Sequence, residues 1–309
     1  MQSYDCVIVG GGPAGLSAAI YVARYNRTVA VVDHGSGRWS THETNENYLG
    51  FPEGIRSTEL RELGRRQARR FGATLVDDCK IERVMTHNNV FRAEAGEGAA
   101  FEGRTVIFAT GVRDYLPDFE NADVADYFGK SLFWCITCDG WKVRDKRVAI
   151  VGRDDEAATT CLQFLNYTGK LSIITNRPPG HAAFGAKKLH DLRDAGIPIY
   201  EEEIARLYGD DGFMREVELR DDRRIALDAM FSMQGARPNS LLARGLGVDV
   251  DRVGYIKVDQ EQRTNVPLVY AAGDVTREYA HQIAAAVHEG ATAGCTANYD
   301  LYRPEQKSA

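Results

Sequence analysis

The chain has 309 residues, of which 44% are hydrophobic, and a formal net charge of −6. That is length for about two domains and apolar content for ordinary packed cores, while the acidic balance, with no basic domain, argues against a nucleic-acid partner. No stretch approaches the ~20 apolar residues of a membrane span, and six cysteines in this length are not a secreted disulfide framework, so a cytoplasmic protein is expected.

Residues 4–9 form a short apolar run that reads as a buried strand. Gly10-Gly11-Gly12-Pro13-Ala14-Gly15 follows, then an apolar helix pattern from Leu16 to Tyr25, then the strand pattern Val29–Val32 ending at Asp33. A glycine-rich turn between strand and helix, with a carboxylate about 20 residues on, is a dinucleotide-binding pattern. Gly10 makes the turn, Gly12 admits a pyrophosphate to the backbone, and Gly15 lets helix and strand pack closely. The helix start supplies N–H donors and partial positive charge, and Asp33 is placed to hold a ribose hydroxyl. A tight turn with no ligand is the plain alternative.

Residues 36–58 read as a loop, and residues 59–72 as an amphipathic helix with Leu60, Leu63, Ala68 and Phe71 inward and its charges on a solvated face. Residues 73–110 suggest a small antiparallel sheet and a return strand ending at Ala109-Thr110-Gly111.

Cys135-Ile136-Thr137-Cys138-Asp139-Gly140 is the centre of the sequence. Two cysteines at this spacing open and close a disulfide easily, and each lowers the other's pKa. Asp139 follows at once, a carboxylate for proton transfer. The alternative, half of a zinc site, needs a second closely spaced Cys or His pair. Cys6, Cys79, Cys161 and Cys295 are isolated, so no metal is expected.

A second strand–turn–helix–strand unit follows: Arg147–Val151, Gly152, a helix pattern from Asp155 to Tyr167, and Leu171–Thr175. From first glycine to the end of the second strand is 23 residues in both copies, 10 to 33 and 152 to 175, an internal repeat of a nucleotide-binding unit. In the second copy Asp154 stands where the first has Gly12, with Asp155 and Glu156 beside it. Two like charges ~4 Å apart cost roughly 4 kcal/mol at an effective dielectric near 20, so this cradle is expected to have lost its nucleotide. A shifted loop that still binds one is the alternative.

Residues 181–237 repeat the mixed strand-and-turn pattern and end before Pro238-Asn239. Val269–Ala272 reads as a strand running into Gly273-Asp274, a ligand position in open α/β sheets or else a helix cap. Residues 278–297 read as a long Ala-rich helix, with His281 and His288 as surface or packing residues.

Taken together these residues resemble the low-molecular-weight thioredoxin reductase family of two-domain FAD disulfide oxidoreductases. The resemblance rests on Gly10–Gly15, Glu46-Asn47, Ala109–Gly111, Cys135–Gly140, Gly235 with Pro238-Asn239, and Gly273-Asp274 with Gln282. It implies an α/β fold of two doubly wound, Rossmann-like three-layer domains with small antiparallel sheets. An FAD domain of residues 1–113 and 238–309 would carry the CxxC domain, 114–237, inserted in it. It further implies that Gly10, Gly12, Pro13, Ala14, Gly15, Asp33, Ser40, Asn47, Ile81, Ala109, Thr110, Gly111, Gly273, Asp274, Gln282 and Ile283 bind FAD. By the same resemblance Cys138 faces the flavin, Cys135 exchanges with the external disulfide, and Asp139 is the acid–base group. Relatives that use NADPH carry an intact second glycine turn and His-Arg-Arg with a further Arg four residues on. Here Asp154 breaks the turn, and Thr175, Asn176, Arg177 and His181 keep one arginine of three.

The reading is an FAD-dependent thiol–disulfide oxidoreductase that passes electrons to a thioredoxin-like protein, does not use NADPH, and has an unknown donor, ferredoxin being one candidate. Alternatives are a dithiol oxidase passing electrons from a small dithiol to oxygen, an NADPH thioredoxin reductase with a variant loop, and a flavin-bound redox sensor. The family suggests a homodimer. Tyr299 or Tyr302, beyond the final helix pattern, is a candidate cover for the flavin on its own subunit or a partner's.

Overall fold

The computed structural model describes residues 2–41, 44–88 and 90–307. Its helices are α1 (Pro13–Arg24), α2 (Arg38–Thr41), α3 (Ser57–Arg70), α4 (Ile136–Asp139), α5 (Asp155–Gln163), α6 (Ala186–Asp194), α7 (Leu241–Gly245) and α8 (Ile283–Asp300). Two compact units form: Met1–Ser40, Ile55–Arg113 and Arg237–Ala309 make the first, Thr41–Gly54 and Asp114–Ala236 the second.

In the first unit the strands Thr74–Val76, Val29–Val32, Gln2–Val9 and Ala100–Phe108 lie side by side in parallel. Ala100–Phe108 serves two neighbours along its far edge. Its early half pairs antiparallel with Val90–Ala95, which continues to Ile81–His87, and its late half pairs in parallel with Val269–Ala271. The expected antiparallel strands are thus part of the main sheet. Alternate residues point to opposite faces: Ile8, Ile107 and Tyr270 join the core under α1 and α8, and Val7, Val9, Val106 and Phe108 the core on the other side. α1 and α8 run in parallel and touch through small residues. A Cβ at Gly290 would stand 2.1 Å from the Ala14 carbonyl oxygen, and one at Gly294 2.8 Å from that of Ala18.

The second unit has a parallel sheet in the order Leu132–Phe133, Ala229–Ser232, Val148–Val151, Leu171–Ile174, Ile199–Tyr200. A three-stranded antiparallel sheet, Ile204–Asp210, Phe213–Leu219 and Arg224–Ala226, accompanies it. The strand Val148–Val151 is buried throughout, as a central parallel strand covered on both faces must be. Among the described residues no helix is long and apolar enough to cross a membrane.

Two sequence expectations are corrected in the last helix. It begins at Ile283, five residues later than the Ala-rich pattern suggested, because Ala280 sits at φ 60° and cannot belong to a right-handed helix. Tyr299 lies in its last turn, so it is about 24 Å along the axis from Ile283 at 1.5 Å per residue. Tyr302 lies beyond it, with Arg27 5.5 Å from its ring, at the end of α1 opposite the glycine turn. Neither tyrosine can cover a group bound near Ile283 of its own chain.

Candidate active site

The register of the first sheet brings four turns off one edge. Val9 is level with Val32 and Phe108, and Phe108 with Ala271. Gly10–Gly15, Asp33, Ala109–Gly111 and Gly273-Asp274 therefore leave the carboxyl ends of neighbouring parallel strands, where open α/β sheets bind ligands.

The glycines of the first turn have separate reasons. Gly10 has φ +108°, and a Cβ there would stand 2.3 Å from the Ala109 carbonyl oxygen; a Cβ at Gly15 would stand 1.9 Å from that of Gly10. Both are glycines because the backbone has no room. At Gly12 a Cβ would meet nothing within 4 Å. That space fronts the start of α1, where Gly12 is the N-cap, Pro13 follows, and no side chain caps the helix. An uncapped helix start facing open space is a place for an anion.

The surrounding turns are held firmly. Thr110 Oγ1 donates to the Asn239 carbonyl (2.7 Å), and Asn239 Nδ2 donates to the Thr110 carbonyl (2.9 Å). Gly273 has φ +82°, and a Cβ there would stand 2.9 Å from that of Ala14. Its N–H donates to Glu289 (2.7 Å), a buried carboxylate that also accepts from Thr276 Oγ1 (3.2 Å) and pairs with Arg277. Asp33 meets Arg61 Nη2 and Asp274 meets Arg38 Nη1, each at 3.1 Å. Gln282 is the N-cap of α8 and Ile283 its first residue, so Asp274 is not that helix's cap. Ile81 is a buried core residue of the first unit. Asn47 falls in the segment grouped with the second unit. Ser40 belongs to α2, its side chain outside the described ones.

Arg38, Arg61 and Glu289 were not readable as site residues. Arg61 and Arg65 sat on a helix face read as solvated, yet Arg65 is buried and pairs with Asp77. The signal available was an arginine recurring at i, i+4 on the side of α3 that also carries Leu60, Gly64 and Ala68. The first cradle fits a dinucleotide: backbone room at Gly12, an uncapped helix start for phosphates, and Asp33 at the neighbouring strand end for a ribose.

The second unit repeats the layout and closes it. A Cβ at Gly152 would stand 2.5 Å from that of Ala157, so this glycine serves packing. Asp154 is the N-cap of α5, its Oδ1 accepting the Ala157 N–H at 3.1 Å. The helix start is thus satisfied by the chain's own carboxylate. Segment 180–185 is bonded across the same turn. Ala183 N–H donates to the Arg153 carbonyl (2.6 Å), Asp154 and Ala183 form a β-bridge, and Gly185 N–H donates to Asp155 Oδ1 (2.7 Å). Gly180 N–H donates to Glu201 (3.0 Å), which adds another carboxylate. Asn176 is engaged internally, accepting from Ile204 N–H (3.0 Å) and donating to Gln234 (3.2 Å).

Cys135 and Cys138 form a disulfide with Cα atoms 5.3 Å apart. Cys135 is the N-cap of α4, and the Cys138 N–H is directed at its Sγ (3.1 Å). A donor aimed at sulfur favours the anion there. Asp139 is buried, its side chain 3% exposed, and its Oδ1 is 2.9 Å from Lys142 Nζ, itself 22% exposed. Lys142 is a site residue that the sequence reading passed over. Trp141 is 64% exposed, with the Arg144 guanidinium 3.6 Å from its ring centroid.

The remaining thiols are placed differently. Burial pushes Cys6 and Cys161 up to about 12 and also raises Cys79, which keeps them protonated and unreactive near neutral pH. Among the described residues no group of three or more His, Cys, Asp or Glu side chains is placed to hold a metal ion. His281 Nε2 lies 2.7 Å from the Arg277 carbonyl, and His288 is exposed.

Residues 4–290 match the family described as pyridine nucleotide-disulphide oxidoreductase. The thioredoxin reductase of Streptomyces coelicolor is 31% identical, the match covering 96% of this chain and 92% of that one. The atypical thioredoxin reductase TRi from Desulfovibrio vulgaris Hildenborough is 36% identical over 97% of this chain and 98% of its own, with a TM-score of 0.52. Thioredoxin reductase from Streptococcus pyogenes, 24% identical over 97% and 98%, shares the fold at a TM-score of 0.88. With an open dinucleotide cradle in one unit and a CxxC disulfide in the other, the chain belongs to the low-molecular-weight thioredoxin reductase family and is a flavoprotein disulfide oxidoreductase.

Proposed function

We propose that the protein holds FAD in the first cradle, passes electrons through Cys138 and Cys135 to a thioredoxin-type disulfide, and takes none from NADPH. The observation that carries the last part is Asp154, whose carboxylate occupies the start of α5 under a segment bonded across the turn. A nucleotide phosphate would have to displace both. The name shared by the relatives supports a thioredoxin-type partner. The family resemblance supports a homodimer and the flavin-binding roles given above to Gly10–Gly15, Asp33, Asp274, Gln282 and the other residues, and the sparse cysteines support a cytoplasmic location.

FAD, when bound, supplies the two electrons that open the Cys135–Cys138 bond. Cys135 as thiolate then attacks the partner's disulfide, and the displaced partner sulfur leaves and takes up a proton. Cys138 attacks Cys135 Sγ in the resulting mixed disulfide, which re-forms the intramolecular bond and releases the partner as a dithiol. Two electrons and two protons reach the partner in each cycle. The Cys138 N–H at 3.1 Å supports Cys135 as the stabilised thiolate. Asp139, too buried to meet solvent directly, exchanges protons through its contact with the partly exposed Lys142. In place of a nicotinamide the donor is a separate redox partner, with a one-electron carrier such as ferredoxin the first candidate.

The test is anaerobic absorbance of the yellow protein. Millimolar NADPH is expected to leave the flavin band intact, while dithionite bleaches it and a thioredoxin-type disulfide restores it. Bleaching by NADPH within seconds would overturn the proposal.

A further inference from the structure

We propose that the second unit binds a small phosphate-type oxyanion in a cavity at the amino-terminal edge of its parallel sheet, with Lys170 and Ser172 as the principal ligands. The cavity has a volume of about 260 Å³. Val148 and Leu171 open neighbouring parallel strands and lie level with each other, so Arg147 and Lys170, which precede them, stand side by side at the strand starts. The closed cradle at Gly152 lies off the other end of the same strands. Arg147 and Lys170 both line the cavity, as does Arg224 from the strand Arg224–Ala226, and no carboxylate lines it. The chain as a whole carries a net charge of −6, so this wall runs against its acidic balance. A cleft lined by one sign of charge concentrates ions of the other.

Ser172 is the second, independent observation. A central parallel strand is apolar on both faces, and in Leu171-Ser172-Ile173-Ile174 the serine breaks the run. Ser172 lies level with Ala149 and on the same face as Ile174, both of which belong to the core shared with the antiparallel sheet, where Ile225 also packs. It is only 9% exposed and lines the cavity, yet its hydroxyl makes no hydrogen bond among the described residues. A buried donor without an acceptor is costly, so this position calls for an acceptor brought from outside. The cations are held differently from one another. Arg147 pairs with Asp228 (2.6 Å), and Arg224 with Glu218 (2.8 Å) and Glu216 (3.1 Å), which fixes both guanidinium groups and offsets their charge. Lys170 is exposed and has no carboxylate partner among the described residues; its Nζ donates to the Asp145 carbonyl at 3.0 Å. An ammonium carries three donors, so two remain for a ligand. Lys170 thus supplies the unbalanced charge and Ser172 the donor at the inner wall. The volume lies below that of pockets for drug-sized ligands, ~300–1,000 Å³, so the occupant is small. The proposal is independent of both the flavin and the NADPH readings.

The experiment titrates inorganic phosphate into the FAD-loaded protein by isothermal calorimetry, with chloride exchanged to hold ionic strength constant because an exposed lysine is screened by salt. Loading with FAD keeps phosphate out of the first cradle. Saturable binding in the millimolar range is expected. Lys170→Met should weaken it about tenfold, the low end for a hydrogen bond to a charged group, since this side chain is exposed. Lys170→Arg should keep most of the affinity. Ser172→Ala should weaken binding by a similar factor and, without phosphate, should melt no lower than wild type, because the unpartnered hydroxyl is gone. Lys146→Met removes a neighbouring exposed cation that does not line the cavity and should change nothing. Absence of saturable binding by the wild type at tens of millimolar phosphate would overturn the proposal. So would equal affinities in wild type, Lys170→Met and Ser172→Ala, or an equal loss in Lys146→Met, which marks a diffuse field rather than a site. A melting temperature of Ser172→Ala well below that of wild type would show a structural serine and would overturn it too.

Discussion

Asp154 makes the NADPH question quantitative. Asp154→Asn keeps a good N-cap for the Ala157 N–H and removes only the charge, because Asn and Asp cap about equally well. Asp154→Gly removes the charge and the bulk at a cost to the helix of only a few tenths of a kcal/mol. A carboxylate about 4 Å from an incoming phosphate charge is worth roughly 4 kcal/mol at an effective dielectric near 20. Asp154 is exposed, so salt and solvent reduce this to about 2 kcal/mol. The bonds of segment 180–185 to Arg153 and Asp155 persist in every variant and cancel in the comparison. NADP affinity should therefore rise about 30-fold in Asp154→Asn, and further in Asp154→Gly, from a wild-type value too weak to saturate at millimolar ligand. Isothermal titration with NADP reads the affinity, and a thermal melt of each variant shows that α5 is intact. Micromolar NADP binding by the wild type, or equal affinities in all three proteins, would refute the reasoning.

Cys138→Ser should trap a covalent mixed disulfide between Cys135 and a thioredoxin-type partner, visible by non-reducing electrophoresis, whereas Cys135→Ser should trap none. Lys142→Met takes the ammonium group away from the buried Asp139 carboxylate. A loss of about 2–4 kcal/mol in urea unfolding is expected, somewhat below the fully buried case because Lys142 reaches solvent, and adding Asp139→Asn should recover most of it. Gly290→Ala forces a Cβ to 2.1 Å from the Ala14 carbonyl and should cost about 1–3 kcal/mol, while Gly169→Ala, with nothing within 4 Å, should leave the melting temperature unchanged. Burial alone would raise the Asp300 carboxyl, but the bonds from Arg263 and Tyr270 outweigh it and hold the group below its ordinary value. A depressed carboxylate stabilises above its unfolded pKa of about 4 and loses that contribution as pH falls through the folded value. The stability gap between wild type and Arg263→Met should therefore narrow from about pH 6 to about pH 3 in paired thermal melts.

What was legible in the sequence is what local chemistry dictates. Gly10 and Gly15 announced a turn because no other residue fits there, and the apolar runs Cys6–Val9 and Val148–Val151 announced buried parallel strands. The internal repeat was visible because both units need the same spacing between turn and second strand. What stayed hidden depends on distant partners. The hairpin Ile81–Ala95 looked like a separate sheet, because nothing local says that Ala100–Phe108 divides its edge between that hairpin and Val269–Ala271. Arg61 read as a surface charge and Arg38 as part of a loop, because their carboxylates, Asp33 and Asp274, lie 28 and 236 residues away. Lys142 is only three residues from Asp139 and could have been read, since side chains at that spacing meet on a helical turn.

The two glycine turns can be compared as one experiment done twice in the same fold. Each puts the positive start of a helix beyond the end of a parallel strand, and each needs its first glycine for packing, as the blocked Cβ positions at Gly10 and Gly152 show. The difference lies in what neutralises the helix start. At α1 no side chain does so, and the backbone faces open space. At α5 the neutralising group is built into the chain as Asp154. A helix start needs one anion, and a second must displace the first and overcome its repulsion. Under the proposal, the residue at this position decides whether a unit of this family draws electrons from a nucleotide or only carries the disulfide through which they leave.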